Sequence, residues 1–158
     1  MDADALQALA RLIRRERIAT LGTLRNGAPN LSMVAYLHAP DFSVFSLRVS
    51  RLAWHTQDMA RVSRVSLAIC ETDDGRADPQ TLARVMIRGE AAKNPDQSPD
   101  FERLKRAWLD RFPESAVTFE LADFSFLSIA PRDARFVAGL GRTYNLGADE
   151  LRDASLQA

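Results

Sequence analysis

The stretch Ile18-Ala-Thr-Leu-Gly-Thr-Leu-Arg-Asn-Gly-Ala-Pro-Asn-Leu-Ser-Met-Val-Ala-Tyr-Leu-His38 reads as two strands joined around Asn26-Gly27. Asn-Gly readily takes the positive φ angles of a tight hairpin turn, which sets the two apolar arms antiparallel. The second arm has two usable faces. Leu31, Met33, Ala35 and Leu37 share one, while Ser32, Val34, Tyr36 and His38 share the other. Ala39-Pro40-Asp41 then breaks the chain, and residues 42–48 form a third strand that extends the hairpin into a meander.

Working outward, Leu6, Leu9, Leu12 and Ile13 recur at helical spacing over residues 4–17, with arginines in the last turn where they complement the helix dipole. After the meander, Ser50 is placed to cap a short helix that offers Leu52, Trp54, Met59 and Val62 for packing. Residues 64–71 form a fourth strand. Residues 82–92 form a fifth, with Arg84, Met86 and Arg88 on one face and Val85 and Ile87 on the other. A packing helix follows, lined on one side by Phe101, Leu104, Trp108 and Phe112. Residues 124–129 and 134–142 read as two more strands separated by Pro131, and a short polar helix over residues 148–157 closes the chain. Six or seven short strands with helices at their ends predict a mainly β fold, a small barrel flanked by helices in a single domain over residues 1–158. Residues 1–17 are its N-terminal helix and 147–158 its C-terminal tail.

Composition narrows the function. The 158 residues carry 21 basic and 21 acidic side chains, so no net field favours nucleic acid or an anionic membrane, and neither is an expected partner. No apolar run approaches the ~18 residues that would span a bilayer, and the chain is expected to be soluble and cytoplasmic. The lone Cys70 ends the apolar run Val65-Ser-Leu-Ala-Ile-Cys70 and is expected to be a buried structural residue. One cysteine and two histidines supply no ordinary metal site. There is no Rossmann or Walker glycine pattern, no repeat, and no Gly-x-Ser-x-Gly elbow for acyl transfer.

One cluster stands out. Ser50, Arg51, His55 and Thr56 gather where a helix begins, and a helix N-terminus offers unpaired N–H groups and the positive end of its dipole. With Arg84 added for charge, this outlines a phosphate site. From these residues alone, the plainer reading of the same pattern is a cap at Ser50, a water-facing His55 and solvated arginines.

The succession of the Asn-Gly hairpin, Pro29-x-x-Ser32-Met33-Val34, Ser50-x-Leu52-x-x-His55-Thr56-x-x-Met59, Arg84-Val-x-Ile-Arg-Gly-Glu90 and Phe136-Val-x-Gly139-x-Gly141-Arg142 resembles the pyridoxamine 5'-phosphate oxidase-related FMN-binding split-barrel superfamily, and within it the branch of heme-degrading flavin-barrel proteins. The resemblance spans residues 18–146. It implies a six-stranded split barrel, a homodimer, and an FMN at each of two subunit-interface sites. It places Ser32, Met33, Val34 and Ala35 along the flavin ring, Ser50, Arg51, Leu52, His55 and Thr56 at the phosphate turn, and Arg84 on the flavin from the following strand. Phe136, Gly139, Gly141 and Arg142 would approach the flavin from the partner subunit. The implied activity is that of an FMN-dependent oxidoreductase acting on a small molecule. The alternative is a non-catalytic flavin- or heme-binding module, or a heme utilisation or degradation protein. The lysine that vitamin B6 oxidases use near the end of the second strand is missing from Tyr36-Leu37-His38, and the C-terminus lacks their arginine-rich segment. Vitamin B6 oxidation is therefore not implied.

Overall fold

The computed structural model describes residues 1–96 and 98–157; Gln97 in the predicted 94–99 loop and Ala158 at the end of the predicted tail lie outside them. The elements run α1 (Ala3–Arg15), β1 (Ile18–Arg25), β2 (Ala28–Ala35), β3 (Leu37–His38), β4 (Phe45–Ser50), α2 (Trp54–Arg61), β5 (Arg64–Cys70), β6 (Arg84–Lys93), α3 (Asp100–Arg111), β7 (Phe124–Val137), β8 (Thr143–Gly147) and α4 (Ala148–Ala154), with 3-10 turns at Pro79–Thr81 and Pro113–Phe119. Asn26 and Gly27 sit at φ 53° and 81°, the turn that the dipeptide predicts. The register it imposes pairs Ile18 with Ala35 and Arg25 with Ala28.

All pairings are antiparallel, in the order β2-β1-β5-β6-β7-β4-β3 with β8 added to β7. The six strands expected of a split barrel are β1, β2, β4, β5, β6 and β7; the two-residue β3 and the five-residue β8 extend that sheet. The sheet curls so that alternate residues of every long strand, among them Leu21, Leu47, Leu67, Ile87 and Phe136, meet Leu9 and Ile13 of α1 in one core. Each such fully buried side chain contributes about 1.5–3 kcal/mol relative to exposure. On the outer face, Phe126 of β7 packs with Leu104, Trp108 and Phe112 in a second, aromatic cluster that seats α3.

Several expectations are corrected. Pro131 does not divide two strands: β7 runs through it, because Pro131 pairs with Gly89 where the β6–β7 register shifts between Arg88 and Gly89. A bulge is the place in a ladder where proline's missing N–H is tolerated. Residues 138–142 are a turn, not strand. Phe42 lies outside the third strand, which begins at Phe45; it is fully buried at φ 56°, packed by the edge of His38 and under Arg14. Cys70 is exposed, since Val65, Leu67 and Ile69 take the inward positions of β5 and alternation turns Cys70 outward. Ser50 does not cap α2, whose N-cap is Ala53, and Leu52 and Trp54 face solvent instead of packing. The closing helix is docked, burying Leu151 and Ala154, and Arg14 of α1 donates to the carbonyls of Ser155 and Gln157 beyond its end.

Candidate functional site

The edge strand β2, the end of β4 and the start of α2 converge on a cavity of about 540 Å³, bounded by Met33, Val34, Ala35, Ser50 and His55 together with Arg17, Arg48, Phe112 and Phe124. Among the described residues, β2 has β1 on one side and no strand on the other. Its outer edge is therefore open for a planar ligand's polar groups. A larger depression of about 680 Å³ beside α1, bordered by Arg11, Arg15 and Glu71, contains none of the expected site residues.

α2 is fixed by a buried carboxylate. Asp58, 1% exposed, accepts from Thr23 Oγ1 at 3.0 Å and Asn30 Nδ2 at 3.1 Å and pairs with Arg25 at 2.8 Å, tying the helix to both arms of the hairpin. Arg25 in turn lies 4.2 Å from the centre of the Trp54 ring. The start of α2 carries no side-chain cap, and its Thr56 and Gln57 amides both turn back to the Ala53 carbonyl at 3.2 Å. The Thr56 hydroxyl is buried with no hydrogen-bond partner. Burial holds the His55 pKa below the usual imidazole value, with the Asp58 carboxylate opposing, so the ring is neutral near pH 7.

Ser50 is engaged. Its hydroxyl donates to the Asp123 carboxylate and accepts from the Leu52 amide at 3.1 Å. It orders the turn before α2 without presenting a free donor. Arg51 is exposed, with its amide bonded to the Asp123 carbonyl at 2.8 Å. Leu52 beside it is 70% exposed. Ser32 and Met33 pair with Leu21 and Thr20, and Met33 is 71% exposed.

The remaining expected residues lie elsewhere in the protomer. Ser50 pairs with Phe124 at one end of the 14-residue β7, and Arg84 with Val137 at the other. Arg84 donates to the carbonyls of Gln80 and Leu82. Phe136 is fully buried in the core, stacked on Tyr144. Gly139 and Gly141, at φ 116° and 76°, form the β7–β8 turn. Arg142 reaches both oxygens of Asp2, the N-cap of α1, at 3.1 Å. Within one chain these five do not join the cleft.

Sequence reasoning missed Arg17, Arg48, Phe112, Phe124 and Asp123. Arg48 did leave a signal, a lone charge in the apolar strand Phe45-Ser-Leu-Arg-Val-Ser50, on the same face as Ser50. The Ser50–Asp123 contact joins residues far apart in sequence and leaves none.

Residues 5–138 match the family model described as pyridoxamine 5'-phosphate oxidase. The chain belongs to that family. It is 30% identical over 141 residues to the chloroplastic heme oxygenase HOZ of Arabidopsis thaliana, covering 89% of this chain and 41% of the relative, so this family member spans less than half the length of that protein. A heme binding protein from Mycobacterium smegmatis superposes with a TM-score of 0.83 at 25% identity, covering 94% of this chain and 60% of that one. The heme storage protein HutZ from Vibrio cholerae shares the fold, with a TM-score of 0.70 at 18% identity over 77% of this chain and 85% of that one.

The residues present fit a flavin phosphate. The first turn of α2 has no side-chain cap, carries the unpartnered buried hydroxyl of Thr56 and places the His55 ring on the cavity wall, at the helix end whose dipole favours an anion. No helix among the described residues is long and apolar enough to cross a membrane.

Proposed function

We propose that this protein is an FMN-binding flavoprotein, and an oxidoreductase acting on a small molecule in the cleft between two copies of the chain. The observation that carries the reading is the start of α2, where no side chain caps the helix and the buried Thr56 hydroxyl lacks a partner that a phosphate would supply. Phosphate contacts of this type contribute roughly 1.5–3 kcal/mol each. A nanomolar ligand needs about 12 kcal/mol, so burial of the ring against Met33, Phe112 and Phe124 supplies the remainder.

When bound, FMN brings the hydride and one-electron chemistry that no side chain here offers. The chain's own part is to hold and screen. The α2 amides, Thr56 and His55 hold the phosphate, the β2 edge over residues 32–35 aligns the ring, and Phe112 and Phe124 exclude water from one side. The homodimer belongs to this reading. Leu31 and Met33 are each 71% exposed and Ile18 54%, an apolar strip on β1 and β2 suited to a second copy, and only a partner's Arg84 and Gly139–Arg142 segment would reach the cleft. A cytoplasmic location is part of the same reading.

A heme-binding or heme-utilising module is the second reading. It is favoured by the neutral His55 ring on the cleft wall and by the names of the relatives. His38, the other histidine, lines a separate cavity beside α3 and bonds through Nδ1 to the Ala39 carbonyl, so His55 is the cleft's ligand candidate. Titration with FMN and with heme in parallel, followed by mixing with NAD(P)H, separates the readings. Flavin binding with bleaching and reoxidation supports the enzyme, whereas heme uptake with no flavin uptake selects the module.

A further inference from the structure

Arg48 is a cleft-wall cation that no carboxylate pairs with among the described residues. It projects from the outer face of β4, opposite Phe126 in the register and two residues before Ser50. Its guanidinium lies 4.2 Å from the centre of the Phe119 ring and 5.0 Å from that of Phe126. Nη2 donates to the Thr118 carbonyl at 2.9 Å, while Nε and Nη1 are enclosed without an acceptor. Burial lowers its pKa from the usual guanidinium value, offset in part by Asp96 at longer range. Aromatic rings satisfy the faces of a guanidinium but not the N–H groups in its plane, which are the groups that grip carboxylates. A buried charge left in this state is destabilising unless a partner arrives.

The surroundings name that partner. Arg17 and His55 line the same cavity, no acidic side chain does among the described residues, and beside Ser50, whose hydroxyl is engaged by Asp123, the wall is apolar through Met33, Phe112 and Phe124. We propose that Arg48 is the counter-ion for a carboxylate on the molecule that docks in this cleft, which makes the ligand an acid carried on a ring-bearing apolar body. This rests on reading the cleft as a cofactor site and assigns Arg48 to the second molecule, separate from the phosphate groups on α2. The Pro113–Phe119 turn covers the guanidinium and meets it through the Phe119 ring and one hydrogen bond, so a local shift of that turn would expose the in-plane donors. The carboxylate belongs either to a small aromatic acid or to the edge of a porphyrin.

The test compares wild type with Arg48→Met, which keeps the side chain's length between the two rings and removes its charge. Calorimetry measures benzoate, with benzyl alcohol as the uncharged control, on both unloaded and FMN-loaded protein; FMN affinity is measured separately. Benzoate binding is expected to weaken about tenfold or more in Arg48→Met, with partial recovery in Arg48→Lys. Benzyl alcohol and FMN should change less than about twofold. If the Met variant misfolds, Arg48→Gln replaces it. Equal benzoate affinity in both proteins, or no benzoate binding to wild type, overturns the assignment. So does a loss of FMN parallel to that of benzoate, which returns Arg48 to the phosphate. If wild type takes up no FMN, the cofactor reading falls, and the benzoate comparison on unloaded protein still decides Arg48. A preference for heme over its dimethyl ester that vanishes in the variant identifies the porphyrin edge; benzoate loss without such a preference identifies the small acid.

Discussion

Thr56 holds the sharpest contrast between folding and binding. Its buried hydroxyl has no partner, so the protein carries a desolvation cost with no return in the unliganded fold. Thr56→Val removes that polar atom while keeping the shape. The expected outcome is a melting temperature equal to or above wild type together with FMN binding about tenfold weaker; a loss of stability with unchanged FMN affinity would contradict the assignment. The two histidines make a second residue-level statement. Burial is the largest cause of the lowered pKa at both His38 and His55. As the pH falls through about 6.5, the unfolded chain takes up protons that the folded chain resists. Their contribution to stability is therefore complete above that pH and lost below it. Thermal melts at pH 7.5 and 5.5 should show a drop that His38→Asn with His55→Asn reduces, and a flat profile in wild type would refute it.

At the level of elements, the hairpin was legible because its cause is local: Asn26 and Gly27 supply the positive φ angles themselves. The amphipathic pattern of α1 and the aromatic side of α3 were legible for the same reason. What was not legible depends on partners distant in sequence. Pro131 looks like a strand break until Gly89 is seen opposite it, and the inward or outward sense of Cys70 follows from the β5–β6 register. Likewise, Ser50 has the composition of a cap, but Asp123 claims its hydroxyl. Of the candidate site residues, Met33, Val34, Ala35, Ser50 and His55 line one cavity, whereas Arg84, Phe136 and the Gly139–Arg142 segment lie at the far end of β7. Gly89 tests this account of the β6–β7 crossing. A Cβ added there would sit 2.4 Å from the Ala130 carbonyl oxygen. Gly89→Ala is expected to destabilise by about 1–3 kcal/mol, seen as a shifted denaturation midpoint; no shift would show that the strands are not so closely apposed.

At the level of the whole molecule, the fold leaves a cleft that is half built, with an open strand edge, an uncapped helix and an apolar strip beside them. In the proposed reading a second copy would cover the strip and bound flavin would meet the helix start and the strand edge. Leu31→Asp with Met33→Asp places two charges on that strip while leaving the core untouched, since both side chains are 71% exposed. The pair should convert a dimer into a folded monomer by light scattering and release bound flavin. A variant that stays dimeric would place the interface elsewhere. The central claim concerns what fills the cleft, and the most direct measurement is the absorption spectrum of the purified protein with mass identification of the molecule that heat releases. The account predicts FMN at about one per chain. Heme in its place, or an empty protein that takes up no added flavin, would contradict it.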